Sequence, residues 1–417
     1  MASTISREGI GASLSRVDGP LKVTGKARYS AEYPADGLLF GVVVNAAIAR
    51  GRIVSIGDAA ALAVAGVVDV LTHENRPEIA SADRKHQDDI APPGSPLRPL
   101  CDEEIRFDGQ PVAVVVAETF EAARYAASLV EVEYKRDEHN TRLEVALAEK
   151  FMPKKTRSGF QPPKNRGDAQ SAFKAAPVTI SAEYHKGSEH HNPMEMHATT
   201  VIYEPGGKLT VYDKTQGPQN VQAYLAGALN LKPDDIRVLN PFVGGAFGSG
   251  LRPQYNAYLA AMAALKLERS VRIVLTRQQM FTHVHRPECS NAISLGAEQD
   301  GTLTAILTDA TTVTSRFENY METVVNWGMM NYACKNAEGS YKIAPVDTYT
   351  PGDMRAPGAA TGMTQFEMAM DELSYAAGID PLELRLKNYS EIDAMHNAEF
   401  TSKALREAYA QGAEAFG

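Results

Sequence analysis

Cysteine is scarce in this chain. Cys101, Cys289 and Cys334 are the only three in 417 residues, and they lie far apart. Such spacing excludes a disulfide framework and supplies no thiolate set for zinc or an iron–sulfur cluster. Long apolar runs are also missing. The longest, Ala59 to Leu71, is too short and too rich in alanine and valine to cross a bilayer. Met1 to Arg16 is polar and lacks the apolar centre of a secretory signal. Both absences argue against a membrane protein. Positive charge is outweighed: 42 Lys and Arg against 51 Asp and Glu leave a net charge of −9. A nucleic-acid binder needs a basic face, so small molecules or proteins are the expected partners. What remains is a globular composition with length enough for two or three domains.

Gly19 to Tyr134 reads as a small α/β unit. Strands are expected at Leu38 to Val44, Ile53 to Ile56, Val67 to Leu71 and Val130 to Tyr134, with a short Ala-rich helix capped by Asp58. Val112 to Ala117 is an uninterrupted apolar run, the pattern of a strand buried on both faces. A helix starting at Glu118 or Thr119 should present Phe120, Ala123, Ala127 and Val130 on one face. Residues 137–177 change character. Pro153, Pro162, Pro163, Gly159 and Gly167 alternate with Lys154, Lys155, Arg157, Lys164 and Arg166, which predicts a solvated basic connector wrapped on a surface. From Val178 a larger α+β unit begins. Hairpins are expected around Pro205-Gly206-Gly207 and around Asp300-Gly301. Helices are expected from Asn220 to Asn230, Asn256 to Leu267 and Thr364 to Ala377; the last should stop at Gly378 and restart with Asp380-Pro381.

The densest signal is Val238 to Gly250. A strand-like run, Ile236 to Val243, empties into a loop with Gly244, Gly245, Gly248 and Gly250, and a helix follows. Glycines let a backbone approach a ligand closely, and a helix start aims N–H groups at anionic or electron-rich atoms. No Lys-Ser/Thr pair follows, so a triphosphate loop is excluded. The glycines also miss the dinucleotide order G-x-G-x-x-G. The loop either cradles a bound group or merely lets a helix pack on a sheet. Gln216, at a strand exit before Gly217-Pro218, either aims an amide at a ligand or opens an ordinary turn. Arg355, beside Pro357-Gly358, suits a phosphate, a carboxylate or another electron-rich group, or else a surface salt bridge. The histidines of Glu189 to Glu195, with His185 and His197, suggest zinc. Their spacing is not H-E-x-x-H, however, and neighbours in an extended segment face opposite ways.

Taken in order, the motifs are GPLKVTGKARYSAEY (from Gly19), FDGQPVAVVVAET (from Phe107), HHNPMEMHATT (from His190), TQGPQ (from Thr215), GGAFGSG (from Gly244), MRAPG (from Met354) and DPLELRLKNY (from Asp380). A chain with this series resembles the molybdenum-binding large subunit of the xanthine dehydrogenase/aldehyde oxidase family, in particular the bacterial aldehyde dehydrogenases of three separate subunits. The resemblance implies an α+β fold: a tail at 1–18, a small a/b-hammerhead domain at 19–136, the connector at 137–177 and the first molybdopterin-binding domain at 178–417. Gln216 would lie near the apical oxygen of molybdenum and Gly217 would line the cofactor. Gly244 and Gly245 would belong to the cradle, with the amides of Phe247 and Gly248 facing the metal's ligands and Arg355 beside the dithiolene.

Under the same resemblance this subunit carries molybdenum–molybdopterin cytosine dinucleotide and oxidises aldehydes to carboxylic acids with oxygen from water. Electrons would pass to partner subunits holding [2Fe–2S] and FAD. The complex would be cytoplasmic, or periplasmic if exported by a partner's signal. Two departures stand out. The family's catalytic glutamate lies in a second cofactor-binding domain, beyond Gly417, so this portion is expected to be inactive alone. Purine-oxidising members carry a glutamate where this chain has Leu251, which favours an aldehyde substrate. The alternative is a non-catalytic assembly fragment that docks partner subunits without cofactor. A zinc hydrolase is a third and weaker reading.

Overall fold

The computed structural model describes residues 13–78, 95–153 and 162–417. The N-terminal unit contains β1 (Leu39–Asn45), β2 (Gly51–Gly57), β3 (Val67–Leu71), β4 (Pro111–Ala117), β5 (Glu131–Arg136) and helix α1 (Phe120–Ala127). Its unbroken Val/Ala run makes β4 buried at every position. Thr119 caps α1 by accepting the Ala122 amide. The buried face of α1 uses Ala123 and Ala126, while Phe120 stays 42% exposed, contrary to the expected stripe.

The second unit supplies β6 (Val178–Lys186), β7 (Ala198–Glu204), β8 (Lys208–Asp213), β9 (Ile236–Leu239), β10 (Val271–Val274), β11 (Cys289–Ala297), β12 (Leu303–Ser315) and β13 (Ala337–Val346). Its helices are α2 (Ala169–Ala175), α3 (Pro218–Ala228), α4 (Tyr255–Leu267), α5 (Ala359–Ala377) and α6 (Pro381–Lys387). One sheet ignores the division between units. It has seven strands in the order β9-β8-β7-β10-β1-β4-β3. Strand β1 enters by lying parallel to β10, with Leu39 opposite Val271 and Gly41 opposite Ile273. A four-stranded sheet, β13-β12-β11-β6, stands apart.

Both expected hairpins form. β7 and β8 pair across Pro205–Gly207, and β11 and β12 pair across Asp300-Gly301, where Gly301 has φ +83°. β12 runs well past Thr308 because it also lies parallel to β13. The 137–177 connector is more than a solvated strap. Phe151 bridges Ile343 and Arg166 bridges Ala337, so its described parts cover the edge strand β13. Lys154, Lys155, Arg157 and Gly159 lie outside the described residues.

Helix α4 is buried from Tyr255 to Ala264 and packs on β7 and β10. Helix α5 lies on β6 and β11, burying Phe366, Met370 and Leu373, each worth roughly 1.5–3 kcal/mol. It starts at Ala359, earlier than expected, and ends at the left-handed Gly378. Asp380 then caps α6 by accepting the amides of Leu382 and Glu383.

Histidines fill part of the core. His283 stacks on Tyr349 at 4.8 Å and meets Tyr255 edge-on at 4.7 Å. Neither of its ring nitrogens has a hydrogen-bond partner among the described residues. Burial pushes His283 from its ordinary 6.5 down to about 3, and His285 to about 4. A folded pKa below the unfolded one means stability that is complete above pH 6.5 and is lost as pH falls toward the folded value. His283→Phe keeps the ring stack and removes this proton linkage. Calorimetry from pH 8 to 4.5 should show the variant losing less stability on acidification, by up to about 1.4 kcal/mol per pH unit. Identical acid slopes in both proteins would refute the account.

Candidate functional site

β9 stops at Leu239, short of the expected Val243. Asn240 turns its side-chain amide to the Thr215 carbonyl, and Pro241 has no N–H for a ladder. The glycine loop therefore begins early and leans against the segment after β8. There the Gln216 amide donates to the Gly250 carbonyl at 2.7 Å. Gln216 Oε1 accepts the amides of Gly248 at 3.1 Å and Gly250 at 3.2 Å. Two N–H donors on one oxygen assign the orientation of the side-chain amide. Gln216 Nε2 is left without an acceptor among the described residues.

The Arg355 turn closes the third side. Gly248 has φ +107°, and a Cβ there would fall 2.0 Å from the Asp353 carbonyl oxygen, so glycine alone fits. The Arg355 amide donates to the Phe247 carbonyl at 2.9 Å. Phe247 (φ 55°) and Ala356 (φ 58°) are both left-handed without being glycine. That conformation costs roughly 1–2 kcal/mol per residue and clusters at functional sites. Gln216, the glycine loop and the main chain of Arg355 thus share one locus.

The chemistry of this locus is one-sided. Among the described residues, the amides of Gly245, Ala246 and Phe247 donate to no protein acceptor, and the Arg355 guanidinium has no partner. With Gln216 Nε2 they are donors left without an acceptor among the described residues. Such a set suits an anionic or oxygen-rich group. Other residues singled out from sequence brace the cradle. The Gly217 amide donates to Thr215 Oγ1 at 3.0 Å, the Gly244 amide to Glu195 Oε2 at 2.7 Å, and the Gly248 amide is already taken by Gln216.

Beneath the loop lies a charged layer that sequence reasoning missed. Lys214 is 1% exposed and donates to Ser249 Oγ at 3.1 Å. Burial pushes Lys214 down to about 8 and its neighbour Asp213 up to about 7. Burial also raises Glu195, whose carboxylate accepts the amides of Gly244 and Ser30. A signal for Asp213 did exist: it shares the alternate positions of β8 with the buried Leu209 and Val211. The histidines do not converge. His191 Nε2 meets the Asp353 carbonyl at 2.8 Å, His185 pairs with Glu288, and His190 lies against Phe281. No group of three His, Cys, Asp or Glu able to hold a metal occurs among the described residues. The zinc reading has no site there.

Comparison with known proteins identifies both domains of the chain. Residues 152–389 match the molybdopterin cofactor-binding domain family. Residues 24–138 match the a/b hammerhead domain of aldehyde oxidase and xanthine dehydrogenase. The aldehyde oxidoreductase molybdenum-binding subunit PaoC of Escherichia coli K12 is 34% identical over 412 residues, 98% of this chain and 54% of the relative. The large molybdopterin subunit of nicotinate dehydrogenase from Eubacterium barkeri is 26% identical over 392 residues, 92% of this chain and 90% of that subunit. The aldehyde oxidoreductase of Desulfovibrio gigas superposes with a TM-score of 0.83 at 25% identity, covering 96% of this chain and 46% of that one. Quinoline 2-oxidoreductase from Pseudomonas putida 86 shares the fold, with a TM-score of 0.83 at 23% identity over 97% of this chain and 55% of that one. The chain spans about half the length of relatives such as PaoC. Among the described residues no helix is long and apolar enough to cross a membrane. A hammerhead domain followed by a molybdopterin cofactor-binding domain places the chain in the xanthine dehydrogenase and aldehyde oxidase family.

Proposed function

We propose that this chain provides part of a molybdenum hydroxylase site that oxidises aldehydes to carboxylic acids, with water as the source of oxygen. The observation that carries the reading is the donor set around one locus: the free amides of Gly245 to Phe247, Gln216 Nε2 and the Arg355 guanidinium. These groups fit molybdenum–molybdopterin cytosine dinucleotide, whose metal is held by an organic dithiolene rather than by protein side chains. When bound, that group supplies the two-electron redox chemistry and activates the oxygen derived from water. Gln216, Gly217, Gly244, Gly245, Phe247, Gly248 and Arg355 would hold it.

The chain's own part is orientation and charge. Preformed amides facing a group that gains negative charge need no reorganisation as the reaction proceeds, which is where such donors are most effective. Arg355, whose main chain is bonded to Phe247, would add a permanent cation. Phe247, 51% exposed, offers an apolar surface over the amides. Among the described residues, Glu195 and Glu367 are not placed as a general base. Both oxygens of Glu195 accept backbone amides, and Glu367 is bound to Tyr332 and Arg385. Leu251 offers no hydrogen bond to a purine, which favours an aldehyde. Electrons would leave through partner subunits carrying [2Fe–2S] and FAD.

Metal analysis of the chain purified with its partner subunits tests the reading. Equimolar molybdenum with a releasable cytosine-dinucleotide pterin is expected. A metal-free complex would point to an assembly role, and stoichiometric zinc to another chemistry. Gly248→Ala should reduce molybdenum content severalfold while leaving the circular dichroism unchanged, because its Cβ would separate the glycine loop from the Arg355 turn. In steady-state assays, kcat/KM for aldehydes should exceed that for hypoxanthine by at least about tenfold. Comparable turnover of both would overturn the substrate assignment.

A further inference from the structure

The turn carrying Arg355 is held from behind by two buried ionisable side chains that lie outside the sequence motifs. Arg286 is 3% exposed and Glu322 is 0% exposed. A short antiparallel ladder sets Arg286 opposite Glu189, and its Nε donates to Glu189 Oε2 at 2.5 Å. The rest of the guanidinium points at the turn: Nη2 donates to the Arg355 carbonyl at 2.8 Å and Nη1 to the Ala356 carbonyl at 3.4 Å. Glu322 works on the far end of the turn. Its Oε2 accepts the Gly358 amide at 3.1 Å and lies 4.0 Å from Arg286 Nη1.

The segment from Asp353 to Gly358 is therefore tied at both ends and at Arg355. His191 donates to the Asp353 carbonyl and the Tyr320 hydroxyl to its carboxylate at 3.0 Å. The Arg355 amide goes to Phe247, Arg286 takes the carbonyls of Arg355 and Ala356, and Glu322 takes the Gly358 amide. Within this clamp sit the left-handed Ala356 and Gly358, φ 58° and 73°. Backbone in that region persists only where its surroundings over-determine it. Two buried ionisable groups are a weak source of net stability, and their best-attested benefit is to specify one conformation.

We propose that Arg286 and Glu322 form a positioning pair, which locks residues 353–358 in the form that presents Arg355 beside Phe247 and Gln216. The locking follows from the bonds above; that it serves a cofactor rests on the proposed function. Neither residue touches the donor face itself.

Hydrogen exchange on the full chain with its partner subunits, stripped of metal, tests the pair directly. Arg286→Lys removes the fork that spans two carbonyls. Glu322→Gln keeps an acceptor for Gly358 and removes the charge. Amides of Arg355 and Gly358 should exchange about tenfold faster or more in each variant, with exchange in α4 unchanged as the control for folding. A parallel fall in molybdenum retention is expected in the loaded complex. Exchange at wild-type rates in both variants would overturn the proposal whatever the metal content. If exchange rises but the wild-type complex never holds molybdenum, the positioning pair stands and the cofactor reading fails.

Discussion

One side-chain oxygen organises the site. Gln216 Oε1 receives the amides of Gly248 and Gly250, which fixes the glycine loop against the exit of β8. With the loop so placed, Gly248 can meet the Asp353 carbonyl only because it lacks a Cβ. That contact brings the Arg355 amide to the Phe247 carbonyl. Three segments distant in sequence are thereby reduced to one rigid locus. The donors left over, three consecutive amides, one carboxamide nitrogen and one guanidinium, are those the packing itself does not consume.

A second constraint lies underneath. Lys214 and Asp213 are buried where charge is costly, and both are displaced toward neutrality in the directions that burial dictates. Lys214 answers part of that cost through Ser249, whose hydroxyl also donates to the Ala246 carbonyl. Ala246 is the middle residue of the three free amides. The loop is thus fastened at its floor as well as its sides. Floor and walls use different chemistry: buried ionisable side chains below, neutral amides and a single cation above.

Much of this was legible in the sequence, for physical reasons. Gly248 announces a backbone that no other residue can adopt, and Gly245 shares its positive φ. The turns at Gly206-Gly207 and Gly301 mark hairpins for the same reason. Asp380 before Pro381 marks a helix start, since its carboxylate is suited to the two amides it receives. Other features left no local trace. Parallel pairing of β1 with β10 needs no turn signal, because a parallel partner can come from anywhere in the chain. β13, with Lys342 and Pro345 inside it, lacks the alternation that flags a strand. Arg286, Glu322 and Lys214 carry no local signal in the sequence, because charged residues are rarely fully buried. Their burial depends on partners that only the folded chain assembles.

The ladder between β1 and β10 has a mechanical consequence. Two units joined by a flexible strap could hinge and open a cleft between them. Here they are woven into one continuous sheet, so swinging one against the other would mean breaking main-chain hydrogen bonds in its interior. The hammerhead unit is accordingly a fixed wall for the cofactor-binding unit, and not a door. Access to the donor face has to come from loops at its rim or from whatever chain is set against it.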